Sequence, residues 1–222
     1  GGLGGVICRT LADAGVHVAV THHRHKDKAV KLCDELERIG RQSLNVHLDQ
    51  SDPASCEAAV KATVENFGRL DILINNVGVN DQIPMTKLED ITPEIWDQSF
   101  NTNLRGPFLM TRSAAPYLKQ QDQGRVVNVA GLTAIIPRGT LTLAVSKAGL
   151  IHLTRCLAIG LAPTITVNCV VPSRLEGTDF PGGPTAAIKE RSLLKRLPSL
   201  EDVARQALIF CATDSVTGQA YI

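Results

Sequence analysis

Residues 125–161, RVVNVAGLTAIIPRGTLTLAVSKAGLIHLTRCLAIGL, constrain the fold more than any other stretch. An apolar run over 125–129 reads as a buried strand, followed by a loop closed by Ile135-Ile136-Pro137-Arg138-Gly139 and then a helix. The helix puts Ala144, Lys147, Ala148, Ile151 and Arg155 on one side and Leu150, Leu153 and Leu157 at core spacing on another. A lysine in so apolar a helix must face something that repays taking its charge out of water.

The remaining segments alternate in the same way. Gly1-Gly2-Leu3-Gly4-Gly5 opens into a helix over 6–15, and 17–21 is a short apolar strand. A glycine turn at a helix N-terminus lets backbone amides approach a phosphate, and a following strand completes a dinucleotide-binding unit. After that strand come His22, His23 and Arg24, with no acid before Asp27 and with Arg24 and Lys26 supplying positive charge. An acid here would hold the ribose hydroxyls of NAD, whereas a 2′-phosphate wants cations, so NADP is expected over NAD. No carboxylate or cysteine accompanies the histidines, so no metal site is expected. Residues 28–39 read as an amphipathic helix, 43–48 as a strand, and 54–67 as a helix started by the Asp49-Gln50-Ser51-Asp52-Pro53 run. Residues 70–75 are a buried parallel strand that ends in Asn75-Asn76-Val77-Gly78. Thr92-Pro93 starts a helix through Trp96, Phe100 and Leu104, within which Asn103 precedes Arg105-Gly106-Pro107, a site of strain or kinking. Residues 164–171 form a further strand ending at Pro172-Ser173.

With 222 residues and a net charge of +1, the chain has the size of one domain and no electrostatic footprint for nucleic acid. No apolar run has the length of a membrane span and no signal peptide is visible, so no membrane partner is expected. The six cysteines are scattered without a CxxC pair, which reads as reduced core thiols of a cytoplasmic protein.

Together, Gly2-Leu3-Gly4, Asn75-Asn76-Val77-Gly78, Asn103 and Lys147 resemble the short-chain dehydrogenase/reductase family over essentially the whole chain. The resemblance implies a doubly wound parallel sheet (Rossmann fold), three-layer α/β/α, in a single domain over 1–222. It also implies truncation at both ends, the first strand and the C-terminal end being absent. Cofactor contacts would fall on Gly2, Leu3, Gly4, His22, His23, Arg24, Asp49, Gln50, Asn76, Val77, Gly78, Lys147, Pro172 and Thr178. Asn103 and Lys147 would belong to the catalytic machinery. A homodimer or homotetramer through the helices over 92–117 and 143–161 is implied as well.

The family places a tyrosine four residues before the lysine and a serine after the preceding strand. Here Leu143 occupies the first position and Ala130 or Gly131 the second. The tyrosine delivers a proton to the carbonyl oxygen that receives the hydride, and the serine steadies the developing alkoxide. Neither Leu143 nor Ala130 or Gly131 offers such a group. Two readings follow. One is an NADP(H)-dependent oxidoreductase acting on a carbonyl, hydroxyl or enoyl small molecule with a non-standard proton source, Lys147 or water. The other is an NADP(H)-binding pseudoenzyme with a regulatory or assembly role.

Overall fold

The structure, a computed structural model, describes residues 2–176 and 185–222. Thr178, expected at the cofactor, lies outside the described residues. Six strands run parallel: β1 (Val18–His22), β2 (Ser43–His47), β3 (Ile72–Asn75), β4 (Gly124–Val129), β5 (Ile165–Val170) and β6 (Ala220–Tyr221). They form two ladders, β2–β1 and β3–β4–β5–β6, with β1 and β3 not hydrogen-bonded to each other.

Helices cover both faces. Helices α3 (Pro53–Phe67), α5 (Gly106–Leu118) and α6 (Leu141–Leu161) pack on one. Helices α1 (Gly2–Asp13), α2 (Lys26–Arg38) and α8 (Leu200–Ala212) pack on the other. The short helices α4 (Pro93–Phe100) and α7 (Thr185–Arg191) complete the set among the described residues. Alternation along β4 shows why its sequence is apolar throughout: Val126 enters the α3–α5–α6 core and Val127 the core under α8. Helix α1 joins the two ladders, since Ile7 and Leu11 share one cluster with Val18 and Val20 of β1, Val129 of β4 and the adjoining Ile74 of β3.

The helix starts follow from local chemistry. Asp52 caps α3 by accepting from the amides of Ala54 and Ser55, with Pro53 at the first position. Thr92 caps α4 ahead of Pro93 in the same way. Ser199 and Asp202 form a reciprocal capping box on α8, and the bonds from Ser199 bring the Asp202 carboxyl down to about 2. Two boundaries differ from the sequence reading. Helix α1 begins at Gly2 rather than at residue 6, so the glycine turn is itself the first helical turn, with Gly2 at φ +68°. His22 belongs to β1, paired in register with His47, rather than to the loop. Cys156 is exposed and Cys8 and Cys211 are half-buried, in contrast to the reading of the cysteines as core thiols.

The expected kink is a π-turn over Asn101–Arg105, between α4 and α5. Pro107 has no N–H for the carbonyl of Asn103 four residues back, so regular α-helix cannot pass through. Gln50 fastens the turn, donating from Nε2 to the carbonyl of Thr102 at 2.7 Å. A Cβ on Gly106 would lie 2.2 Å from Gln50 Cγ. Gly106→Ala should therefore lose about 1–3 kcal/mol in a urea titration. In the Gln50→Ala background, where the clashing atoms are gone, the added cost of Gly106→Ala should fall to a small fraction of that.

Candidate active site

The carboxyl end of β3 carries Asn75, which the sequence singled out, and the adjoining end of β4 carries Asn128, which it did not. Asn75 and Asn128 sit opposite each other in the ladder. Asn75 Nδ2 donates to Asn128 Oδ1 at 2.9 Å, and Asn128 Nδ2 donates to Thr154 Oγ1 of α6 at 2.9 Å. Buried amides satisfied in this way fix strand register and dock α6 on the sheet.

Beyond Asn75 the chain passes close to α1, where a Cβ on Gly4 would approach Asn76 Nδ2 to 2.9 Å. Only a glycine lets the first turn of α1 sit this near Asn76. A Cβ on Gly78 would meet both Asn103 Oδ1 and Lys147 Nζ at 3.2 Å. These two side chains thus converge on the backbone of Gly78.

Asn103 is fully buried. Its Oδ1 accepts from the Val79 amide at 2.8 Å, and its Nδ2 lies 3.0 Å from the Val79 carbonyl, 3.2 Å from Ser99 Oγ and 3.1 Å from Ser146 Oγ. The side chain is spent on holding the π-turn, the segment after Gly78 and α6 together.

Lys147 is buried within α6, and its Nζ donates to the carbonyl of Val129 at 2.8 Å. Desolvation lowers its pKa from 10.5 to about 8, with the thiol of Cys169 acting weakly in the other direction. One turn earlier on the same face stands the half-buried Leu143, and Gly131, after β4, is extended with no side chain. The two other hydroxyls at the start of α6 are engaged, Thr140 with Asn80 and Thr142 with Asp81.

At the carboxyl ends of β1 and β2, the rings of His22 and His47 lie edge to face at 5.7 Å, and those of His23 and His47 also at 5.7 Å. His23 Nε2 is 3.9 Å from Asp49 Oδ2. Asp49 is held below the usual carboxylate range mainly by hydrogen bonds from the hydroxyl and amide of Ser51, and His23 and His47 add a smaller pull. His47 was not marked in the sequence; only the register with His22 brings it to this corner. Arg24 is exposed beside it. Gln50, expected at the adenine, has its amide buried on Thr102 instead. The Pro172 carbonyl accepts from the Leu132 amide at 2.9 Å and so braces the short 3-10 turn Leu132–Ala134.

A family model described as short chain dehydrogenase matches residues 1–184. The chain is 30% identical over 227 residues to the 3-oxoacyl-(acyl-carrier-protein) reductase FabG of Staphylococcus aureus, covering 98% of this chain and 90% of the relative. A solved short chain dehydrogenase from Burkholderia cenocepacia J2315 in complex with NADP aligns with a TM-score of 0.90 at 31% identity, covering 99% of this chain and 91% of that one. A blue fluorescent protein from a metagenomic library, in complex with NADPH, gives a TM-score of 0.91 at 29% identity, covering 100% of this chain and 91% of that one. The chain belongs to the short-chain dehydrogenase family.

The buried Lys147 makes stability depend on pH. Its pKa is about 8 folded against 10.5 as the ordinary value. Between these limits the unfolded chain binds more protons, so wild type should gain stability relative to Lys147→Met as pH rises from 8 to 10.5. The gain should be on the order of 3 kcal/mol by denaturant titration. A flat difference across that window would contradict burial of the ammonium.

Proposed function

We propose that the protein is an oxidoreductase that exchanges a hydride between NADP(H) and a carbonyl, hydroxyl or enoyl group of a small molecule. In this reading Lys147, or a water it orders, supplies the proton. The observation that carries it is the buried Lys147 ammonium, with its pKa near 8, one turn beyond an aliphatic Leu143. A group that titrates close to working pH is suited to general acid–base catalysis, and burial here tunes a lysine to that range.

The residues fit the cofactor. The close approach of Gly4 to Asn76 leaves no room for a larger residue, and the α1 N-terminal amides would be the group that meets a pyrophosphate. Arg24 would supply a cation and His22 and His23 ring nitrogens to a 2′-phosphate, and Asp49 would lie on the adenine side. When bound, the nicotinamide supplies or accepts the hydride. Lys147 would steady the adjoining ribose and hold the proton for the substrate oxygen, and Asn103 would position it by locking Val79 and Ser146. Asn76, Val77, Gly78 and Pro172 would form the walls. The relative that reduces 3-oxoacyl groups and the neighbours solved with NADP or NADPH support a carbonyl substrate and this cofactor. Exposed Phe108, Val145 and Ile159 on α5 and α6 suit assembly as a dimer or tetramer.

Fluorescence titration should show NADPH bound about tenfold more tightly than NADH, each 1.4 kcal/mol of phosphate contact giving a factor of ten. In a carbonyl-substrate panel, Lys147→Ala should lower turnover by about 10²–10⁴ while NADPH still binds. Because the acid must be protonated to donate, carbonyl reduction by wild type should be level below pH 8 and decline above it. If wild type binds NADPH but oxidises it with no substrate, and Leu143→Tyr with Gly131→Ser acquires turnover, the protein is a cofactor binder with a regulatory or assembly role. Failure to bind either nucleotide sinks both readings.

A further inference from the structure

In the oxidoreductase reading, Gly131 leaves the position of the family's serine without a hydrogen-bond donor, and the structure puts a hydroxyl next to it. A Cβ built on Gly131 meets nothing within 4 Å except Thr133 Oγ1, at 3.8 Å. That hydroxyl is buried and has no hydrogen-bond partner. Buried hydroxyls in folded proteins are almost always paired, so one left over at a site asks for a partner that the chain does not provide. The only other such hydroxyl among the described residues, Thr166, is near the start of β5, at the opposite end of the sheet from the site.

The position of Thr133 is set by its surroundings. The 3-10 turn that carries it leaves the carboxyl end of β4 and is pinned by the Leu132 amide on the Pro172 carbonyl. Its methyl Cγ2 faces Gly139, 3.7 Å from where a Cβ would be. Its hydroxyl is thereby turned toward Gly131. Two residues before Gly131, the Val129 carbonyl holds Lys147 Nζ at 2.8 Å. The orphaned hydroxyl and the buried ammonium therefore stand at the same strand end.

The geometry points to Thr133 as a catalytic residue, its hydroxyl donating a hydrogen bond to the reacting oxygen of the substrate. The inference rests on the oxidoreductase reading above. As hydride adds to the carbonyl carbon, the π pair moves onto oxygen, and that oxygen takes its proton from Lys147 or from water. Thr133 keeps its own proton and stabilises the charge while it develops. One threonine thus replaces the missing serine from two residues further along, and the proton source is a separate group.

The test follows NADPH oxidation with 9,10-phenanthrenequinone and ethyl acetoacetate as carbonyl probes. Thr133→Val keeps the shape and removes only an unpaired hydroxyl, so its Tm should equal or exceed that of wild type. Its kcat should fall about 10²-fold with KM and NADPH affinity within twofold. Adding Gly131→Ser should restore kcat at least tenfold, since that position is extended and open. Thr166→Val, the other orphaned hydroxyl, should change nothing. Wild-type turnover that Thr133→Val matches overturns this inference and leaves the oxidoreductase reading intact. NADPH binding without oxidation in wild type overturns both.

Discussion

The missing N–H of Pro107 is the constraint from which the site is assembled. Because the carbonyl of Asn103 finds no donor four residues on, the α4–α5 segment opens into a π-turn. The turn exposes the Thr102 carbonyl to Gln50 and swings the Asn103 amide onto the backbone of Val79. Through Ser146 the same amide grips α6, and Lys147 is the next residue along that helix. One proline thus ties the end of β2, the segment after β3 and helix α6 to a common point. Gly106 and Gly78 are required because the knot leaves no space for a Cβ.

The knot also makes Lys147 chemically unusual. With α6 docked through Asn128–Thr154 and Asn103–Ser146, the ammonium is enclosed and bonded to a single carbonyl. Desolvation outweighs that one bond, so the charge is destabilised and the pKa falls. In a site with a tyrosine acid, a lysine acts through its neighbour. With Leu143 in that place, the lysine is itself the group whose titration lies near neutral pH.

Much of the fold could be read along the chain because its determinants are local. Val126-Val127 and Ile72-Leu73-Ile74 are apolar on every position, which only a strand covered on both faces tolerates. Asp52-Pro53, Thr92-Pro93 and Ser199 with Asp202 mark helix starts through bonds that reach no further than three residues. The first turn of α1 is less legible, since its glycines look like loop until packing of Gly4 against Asn76 fixes the segment from Gly2 as helix. Gln50 shows the same limit from the other side. Its neighbour Asp49 and the strand end suggested the adenine, but a carbonyl freed by a π-turn 52 residues later claims its amide.

The sequence by itself determined the element order, the dinucleotide-binding unit, the absence of tyrosine at Leu143 and of a side chain at Gly131, and Lys147 as the residue to explain. Each of these is a matter of residue type at a fixed spacing. Tertiary structure decided which groups meet. It set His47 beside His22 and His23 by strand register, buried Lys147 against Val129, spent the Asn103 side chain on Val79, and left the Thr133 hydroxyl facing the space at Gly131. Burial and the pairing of polar atoms depend on distances between segments far apart in the chain, and no local pattern encodes them.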